Sequence, residues 1–212
     1  MRESFDKQLQ ALYSRLGEMG GKCESAIALA AKSLETGDKS LASKVSALEE
    51  EIDADERYIE QQCLDLLLRQ QPVAGDLRRI TAAAKMTTDL ERIGDQAADI
   101  AEIVTFLSEP CAGIGHIREM AIAAIKMVTD SMTAYEKQDV ALAKSVMSYD
   151  DVVDSYFAGI KHELAALIAS DPGRSEAALD LLMIAKYLER IGDHAVNVAE
   201  WVVYSVTGAK GV

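Results

Sequence analysis

Apolar residues recur every three or four positions along most of the chain, which is the spacing of one face of an α-helix. This pattern predicts six helices, over residues 5–34, 41–68, 77–107, 117–135, 140–168 and 179–206. Turn-forming residues interrupt it at 36–38, 71–76, 110–115, 138–139 and 171–173. Only three prolines are present and aromatic residues make up 5% of the chain, so the class is all-α. Helices of this length favour antiparallel bundles.

The third and sixth predicted helices share a repeated segment. Leu-Glu-Arg-Ile-Gly-Asp at 90–95 recurs letter for letter at 188–193, 98 residues later. One helix earlier in each half, an acidic pair spaced by four residues recurs 101 residues later. A repeat of this quality indicates duplication of a whole unit. The sequence therefore predicts two tandem three-helix bundles, spanning 1–110 and 111–212.

The chain carries a formal net charge of −13 at pH 7, spread along its length. Such a surface repels phosphate backbones and excludes direct nucleic-acid binding. The N-terminal residues form no apolar run and no segment is long and apolar enough to span a membrane, so we expect a cytoplasmic protein. Cys23, Cys63 and Cys111 are widely spaced and odd in number, which predicts ordinary reduced side chains.

Acidic residues form their own stripe on the third predicted helix. At 100° per residue the apolar side chains fall in one band, which is the expected core face: Leu90, Ile93, Ala97, Ile100, Ala101 and Val104. Glu91, Asp95, Asp99 and Glu102 fall on the face away from it. The second repeat places Glu189, Asp193, Asn197 and Glu200 in the same phases. We expect these acids to point outward.

Stacked like charges destabilise a helix by roughly 0.2–0.5 kcal/mol per pair, so something should neutralise them. The pairs Glu49/Asp53 and Asp150/Asp154 on the preceding helices add oxygen ligands of the kind taken up by Mg²⁺, Ca²⁺, Mn²⁺, iron and Zn²⁺. An open and multinuclear cation site is one interpretation. The other is a solvated acidic face screened by basic neighbours, namely Arg92, Arg190 and Lys186.

Glycines stand inside both copies of the repeated segment, at Gly94 and Gly192. A glycine in a helix interior costs about 1 kcal/mol relative to alanine. Close approach of a neighbouring helix or of a bound ion's other ligands would explain them, and a merely tolerated glycine is the alternative.

The doubled segment, the Glu/Asp-x-x-x-Asp pairs and Gln-Pro-Val-Ala-Gly-Asp-Leu-Arg at 71–78 together resemble the PhoU family over essentially the whole chain. The resemblance implies a pair of three-helix bundles, iron or zinc clusters on the carboxylate motifs, and homo-oligomers such as a homodimer. It also implies a role in restraining phosphate uptake and phosphate-starvation signalling. The implied partners are the ATPase of the phosphate-specific ABC transporter and a sensor histidine kinase, with the membrane reached only through them.

Carried over by position, the resemblance implies these metal ligands: Glu49, Asp53, Glu91, Asp95, Asp99, Asp150, Asp154, Glu189 and Asp193. Asn197 stands where the first half has Asp99, so a weaker second site is expected, because an amide oxygen binds cations more weakly than a carboxylate. His194 takes the place of Gln96 and is expected to be a surface histidine.

Two rival functions remain. A di-metal carboxylate enzyme would need Glu-x-x-His, but the residues three before His116, His162 and His194 are not glutamates, so no enzyme is predicted. The other rival is a metal-free scaffold whose acidic face docks a basic partner. Metal analysis of the purified protein would separate the scaffold from the metal-binding regulator.

Overall fold

The computed structural model describes residues 2–70, 72–107 and 115–209. Within these residues it contains helices and no strand, so the all-α prediction is confirmed. In chain order the elements are α1 (Arg2–Thr36), α2 (Ser40–Gln70), α3 (Ala74–Phe106), α4 (Gly115–Lys137), α5 (Val140–Ser170), a 3₁₀ turn (Pro172–Arg174) and α6 (Ser175–Thr207). The predicted turn at 110–115 lies almost wholly outside the described residues.

The turns before α2 and α5 are equivalent. Gly37 and Gln138 both adopt the left-handed conformation, with φ of 69° and 53°, and they are 101 residues apart. The next residue in each half is an aspartate that caps the following helix: Asp38 accepts from the Ser40 N–H at 3.0 Å, and Asp139 accepts from the Leu142 N–H at 3.0 Å. The offset of 101 residues between the acidic pairs of the two halves is therefore also the offset between their equivalent turns.

Helices α3 and α6 begin earlier than the apolar pattern predicts. Helix α6 starts at Ser175, four residues before the first periodic apolar residue, and Asp171 caps the preceding 3₁₀ turn by accepting from the Gly173 N–H at 3.1 Å. Helix α3 likewise starts at Ala74 rather than at 77. The polar first turns of these helices carry little apolar periodicity, so the sequence pattern misses them.

Each half forms a three-helix unit, with α2 packed on α1 and α3, and α5 packed on α4 and α6. The halves meet through α1 against α4 and α3 against α6. The predicted core band of α3 is confirmed, because Leu90, Ile93, Ala97, Ile100, Ala101 and Val104 are each at most 2% exposed. The core is thus continuous from one half to the other.

Helices α3 and α6 run antiparallel, because Asp89 bonds to Asn197 at 3.0 Å while Asp99 bonds to Tyr187. Residues 89 and 187 are equivalent in the repeat, and so are 99 and 197. Each contact is therefore the counterpart of the other under an approximate twofold rotation. The duplicated units face one another much as two copies in a homodimer would.

The cysteines within the described residues are buried and free, as expected: Cys23 and Cys63. Cys23 donates to the Leu90 carbonyl at 3.2 Å, and burial raises the pKa of Cys63 to about 12. Thiols this hard to ionise are inert. Cys111 lies outside the described residues.

The repeat glycines lie where α2 and α5 cross the repeated helices. A Cβ at Gly94 would come within 3.0 Å of Ile52 Cδ1, whereas at Gly192 the nearest atoms are Asp150 Oδ1 and Val153 Cγ1, both at 3.4 Å. Ile52 and Val153 are also 101 residues apart. Close helix approach therefore explains Gly94, as one of the two interpretations expected.

We expect opposite effects from alanine at these two glycines. Gly94→Ala should destabilise the protein by about 1 kcal/mol, since overpacking against Ile52 costs about 1–3 kcal/mol and the gain in helix propensity returns about 1. Gly192→Ala should stabilise it by up to about 1 kcal/mol, because 3.4 Å is an ordinary contact. Urea denaturation of both variants checks this, and equal effects would contradict the packing explanation.

Candidate metal centre

Three predicted ligands come together between α2 and α3. Each of Glu49, Asp53 and Asp95 offers one carboxylate oxygen, and these three oxygens all lie within 4.8 Å of one another. Glu49 and Asp53 share a face of α2 because they are one turn apart. Asp95 reaches them because Gly94 allows α3 to approach Ile52 on that same helix. We call these residues, together with Glu56 and Glu91, the first cluster.

Glu91 lies one turn before Asp95, and its side chain is 15% exposed. Its Oε2 atom is buried and accepts no well-directed hydrogen bond, and its nearest cation is Arg92 Nε at 3.3 Å. Burial, followed by the charges of Asp95 and Glu56, raises the pKa of Glu91 to about 7. Burial and the charges of Asp53 and Asp95 also raise the pKa of Glu49. Ionised carboxylates here repel one another more than the nearby arginine compensates, and a bound cation would relieve this repulsion.

The prediction that the acids point outward is wrong for the first cluster. Glu91 and Asp95 face α2, and their side chains are only 15% and 31% exposed. The helical wheel placed them opposite the apolar band, but α3 packs against α1, α2 and α6, so its buried arc is wider than that band. The cluster occupies a partly covered groove between helices rather than an open face.

Sequence reasoning missed Glu56. It is half-buried on α2, and burial together with the charges of Glu60 and Asp53 raises its pKa. Its charge in turn raises the pKa of Glu91 on the facing helix. The signal was available, because residue 56 follows Asp53 by three positions and so shares its helix face. It was overlooked because the second half has Phe157 at the equivalent position.

Basic side chains do screen the first cluster, as one interpretation held. Arg92 Nη1 lies 3.0 Å from Asp95 Oδ2, and Arg57 Nη1 lies 3.4 Å from Asp53 Oδ2. Both arginines are more than half exposed, so each pair contributes at most about 1 kcal/mol. These two cations face five carboxylates.

The corresponding acids of the second half are arranged differently. We call Asp150, Asp154, Glu189 and Asp193 the second cluster. Burial and the charges of Asp154 and Asp193 raise the pKa of Asp150 to about 6. Asp154 and Asp193 are exposed, while Glu189 is 16% exposed and is paired with Lys186. Among the described residues, only the first cluster brings three potential ligand atoms within 4.8 Å.

The remaining predicted ligand, Asp99, is not part of that trio. It accepts a hydrogen bond from Tyr187 where α3 meets α6, and burial raises its pKa. Asn197 is the equivalent residue and donates to Asp89 at 3.0 Å. Asn197 therefore serves the contact between the halves, and the expectation of a weaker second metal site stays a prediction.

His194 is not a free surface histidine, which corrects the sequence-based expectation. Its Nδ1 atom lies 2.9 Å from Asp89 Oδ1, and its side chain is 19% exposed. No pattern within one helix indicates this contact, because Asp89 belongs to the other half and is 105 residues away.

The first cluster suits hard or borderline cations. Its donors are all carboxylate oxygens, which Mg²⁺, Mn²⁺ and iron accept, and which also bind Zn²⁺. Glu49, Asp53 and Asp95 would supply the nearest ligands, and Glu91, whose pKa is raised by burial and by the charge of Asp95, lies one turn before Asp95. The residues present therefore fit such a metal.

The profile of the PhoU domain matches the chain twice, over residues 16–104 and 117–202. The chain belongs to the PhoU family. Two tandem domains agree with the duplicated bundles, and both matched segments span the three helices of their half. Within the described residues, no helix combines the length and the apolar character needed to cross a membrane.

Curated relatives match almost end to end. The chain is 36% identical over 209 residues to the phosphate-specific transport system accessory protein PhoU homolog of Pseudomonas aeruginosa, covering 97% of this chain and 86% of that one. It is 35% identical over 212 residues to the protein of the same name in Clostridium acetobutylicum, covering 99% and 97%. These names describe accessory proteins of phosphate transport rather than enzymes.

Solved structures agree with the fold. The crystal structure of PhoU from Pseudomonas aeruginosa superposes with a TM-score of 0.93 at 36% identity, covering 97% of this chain and all of that one. The phosphate transport system regulatory protein PhoU from Streptococcus pneumoniae gives 0.89 at 26% identity, covering 98% and 99%. The PhoU-like tandem of three-helix bundles is thus established for this chain.

Proposed function

We propose that this protein is a cytoplasmic negative regulator of phosphate uptake and phosphate-starvation signalling. It works by contact with the ATPase of the phosphate-specific ABC transporter and with a sensor histidine kinase. Family membership over both halves supports this, as do relatives that are named accessory proteins of phosphate transport. The net charge of −13 supports protein partners rather than nucleic acid.

The regulator binds divalent cations or iron or zinc clusters through its acidic motifs. The convergence of Glu49, Asp53 and Asp95 oxygens within 4.8 Å carries this part of the proposal. A cation there offsets the burial and the charge repulsion that together raise the pKa of Glu49 and Glu91. It also links α2 to α3, so metal loading stabilises the first bundle.

Metal binding is tested with the variant Glu49→Ala/Asp53→Ala. The wild-type protein, freed of metal with a chelator, should gain about 2.7 kcal/mol in unfolding free energy when Mn²⁺ reaches a hundredfold excess over its Kd. The variant should lose most of that gain. Thermal denaturation with and without Mn²⁺, together with metal analysis after gel filtration, measures both quantities.

The matched control is Glu3→Ala/Glu119→Ala, which removes two exposed acids that lie outside the first cluster and changes the net charge equally. It should keep the full response to Mn²⁺. A wild-type protein that carries no metal and does not respond to Mn²⁺ would instead support the metal-free acidic scaffold.

Partner binding is tested separately by copurification from cells grown with ample phosphate. The tagged protein should retain the transporter ATPase or the sensor kinase, identified by mass spectrometry. Recovery of neither from detergent-solubilised membranes would contradict the proposed regulatory contacts, whatever the metal content.

A further inference from the structure

Lys186 occupies a position in the second cluster that the first cluster leaves without a charge. The repeat spacing pairs Lys186 with Thr88, just as it pairs Glu189 with Glu91. The structure confirms this register, because Gly94 faces Ile52 and Gly192 faces the equivalent Val153. The two clusters can therefore be compared residue by residue.

Two neighbours hold Lys186 beside the acids. Its ammonium forms an ion pair with Glu189, and it lies 5.6 Å from the ring centroid of Phe157 on α5. Lys161 lies over the same ring at 4.7 Å. A cation over an aromatic face is stabilised by roughly 0.5–1 kcal/mol at exposed sites.

The first half replaces this basic and aromatic group with acids. Glu56 and Glu60 stand where the second half has Phe157 and Lys161. Over nine equivalent positions the first half carries six carboxylates and two arginines, and the second carries four carboxylates and three basic residues. In order, the first set is Glu49, Asp53, Glu56, Arg57, Glu60, Thr88, Glu91, Arg92 and Asp95, and the second is Asp150, Asp154, Phe157, Ala158, Lys161, Lys186, Glu189, Arg190 and Asp193.

The positions of the acids also favour metal binding in the first cluster over the second. Within the described residues, the first cluster brings three ligand oxygens together and the second does not. In the second cluster Asp154 and Asp193 are exposed, and Glu189 is paired with Lys186. A divalent cation entering the second cluster would have to displace the ammonium or bind beside it. Repulsion between charges about 4 Å apart is appreciable even in water, at about 1 kcal/mol per pair of unit charges.

We propose that Lys186 is a built-in counter-ion of the second cluster, so that the first cluster is the one that takes up divalent cations. The two halves of the duplicated fold then have separate roles. One half responds to metal, and the other keeps the Lys186 ammonium beside its acids at every metal concentration. This inference rests on the proposed cation role of the first cluster.

The test exchanges the two residues at the equivalent positions. The second cluster is isolated in the Glu49→Ala/Asp53→Ala background, and Mn²⁺ binding is measured by equilibrium dialysis. Adding Lys186→Thr should raise the affinity of that protein for Mn²⁺ at least about tenfold. The control is Lys137→Thr, which removes an exposed lysine at the end of α4 and changes the net charge equally.

The reciprocal variant Thr88→Lys, made in the otherwise wild-type protein, should weaken Mn²⁺ binding at least about tenfold, because it places an ammonium one turn before Glu91. Thr88 is exposed, so the fold tolerates this change, and circular dichroism verifies that the variant is folded. The inference is overturned if Lys186→Thr binds Mn²⁺ no better than Lys137→Thr. It is also overturned if Glu49→Ala/Asp53→Ala alone keeps half or more of the wild-type metal.

Failure of the proposed cation role has a different signature. In that case the wild-type protein binds no Mn²⁺, while the comparison of Lys186→Thr with Lys137→Thr still decides whether Lys186 blocks the second cluster.

Discussion

Replacing Asp55 with asparagine is expected to lower the free energy of unfolding by about 2–4 kcal/mol, which corresponds to a fall in Tm of roughly 4–16 °C. The Asp55 side chain is 1% exposed, and its carboxylate lies between two cations of α1. Arg15 pairs with one oxygen, and Lys22 Nζ lies 3.0 Å from the other. Asparagine fills the same space but leaves both cations without the buried charge that holds them against α2.

The expected loss is below the value of about 3–5 kcal/mol for a fully buried ion pair, because Arg15 and Lys22 are 40% and 23% exposed and can turn toward water. The matched control is Glu51→Gln, since Glu51 also contacts Lys22, at 2.9 Å, but is 59% exposed. It should change stability by less than about 1 kcal/mol. Equal effects in urea denaturation would show that Asp55 contributes no more than a surface ion pair.

The main features of the fold could be predicted from the sequence because they depend on periodicity. Apolar spacing located all six helices, and the identical segments at 90–95 and 188–193 revealed the duplication. The core face of α3 was also correct, since its apolar side chains form an unbroken band at helical spacing. Each of these signals lies within a single helix or recurs unchanged in two helices, so it can be detected without knowing how the helices pack.

Most of the trio in the candidate site was also accessible from the sequence, because Glu49 and Asp53 share a helix face and Asp95 lies within the repeated segment. How deeply the acids are buried was not accessible. Their exposure depends on how many helices pack around α3, and a wheel drawn for one helix contains no information about that number.

Some contacts between helices involve residues that have no equivalent in the other half. These contacts could not be predicted either, because they depend on how the helices pack. Asp55 has Tyr156 as its counterpart, so the comparison of the halves gave no hint of its ion pairs with α1. His194 and Asp89 come from different halves and meet only because α3 and α6 run antiparallel. Polar residues of this kind look like ordinary surface positions until tertiary packing is known.

The metal-free protein is expected to lose stability as pH rises, by about 1–2 kcal/mol between about pH 5 and pH 8, and Glu91 is the main cause. Burial raises the pKa of Glu91 to about 7 from an unfolded value near 4.5. The folded state then holds a proton that the unfolded state has released, so the free energy of unfolding falls across this window. The size is discounted for the water that reaches the rim of the groove.

Divalent cations should reverse this trend, because the carboxylates bind metal only when ionised and their affinity therefore rises with pH. Glu91→Gln should remove most of the loss of stability in chelator, leaving the variant more stable than wild type at about pH 8 and equal to it below about pH 4.5. Glu102→Gln, an exposed acid on the same helix, should behave as wild type. Urea denaturation at about pH 5 and at about pH 8, each with chelator and with Mn²⁺, measures the stability in all four conditions. If the wild-type protein in chelator is equally stable at pH 5 and pH 8, then Glu91 ionises freely, and the electrostatic argument for a cation in the first cluster is lost.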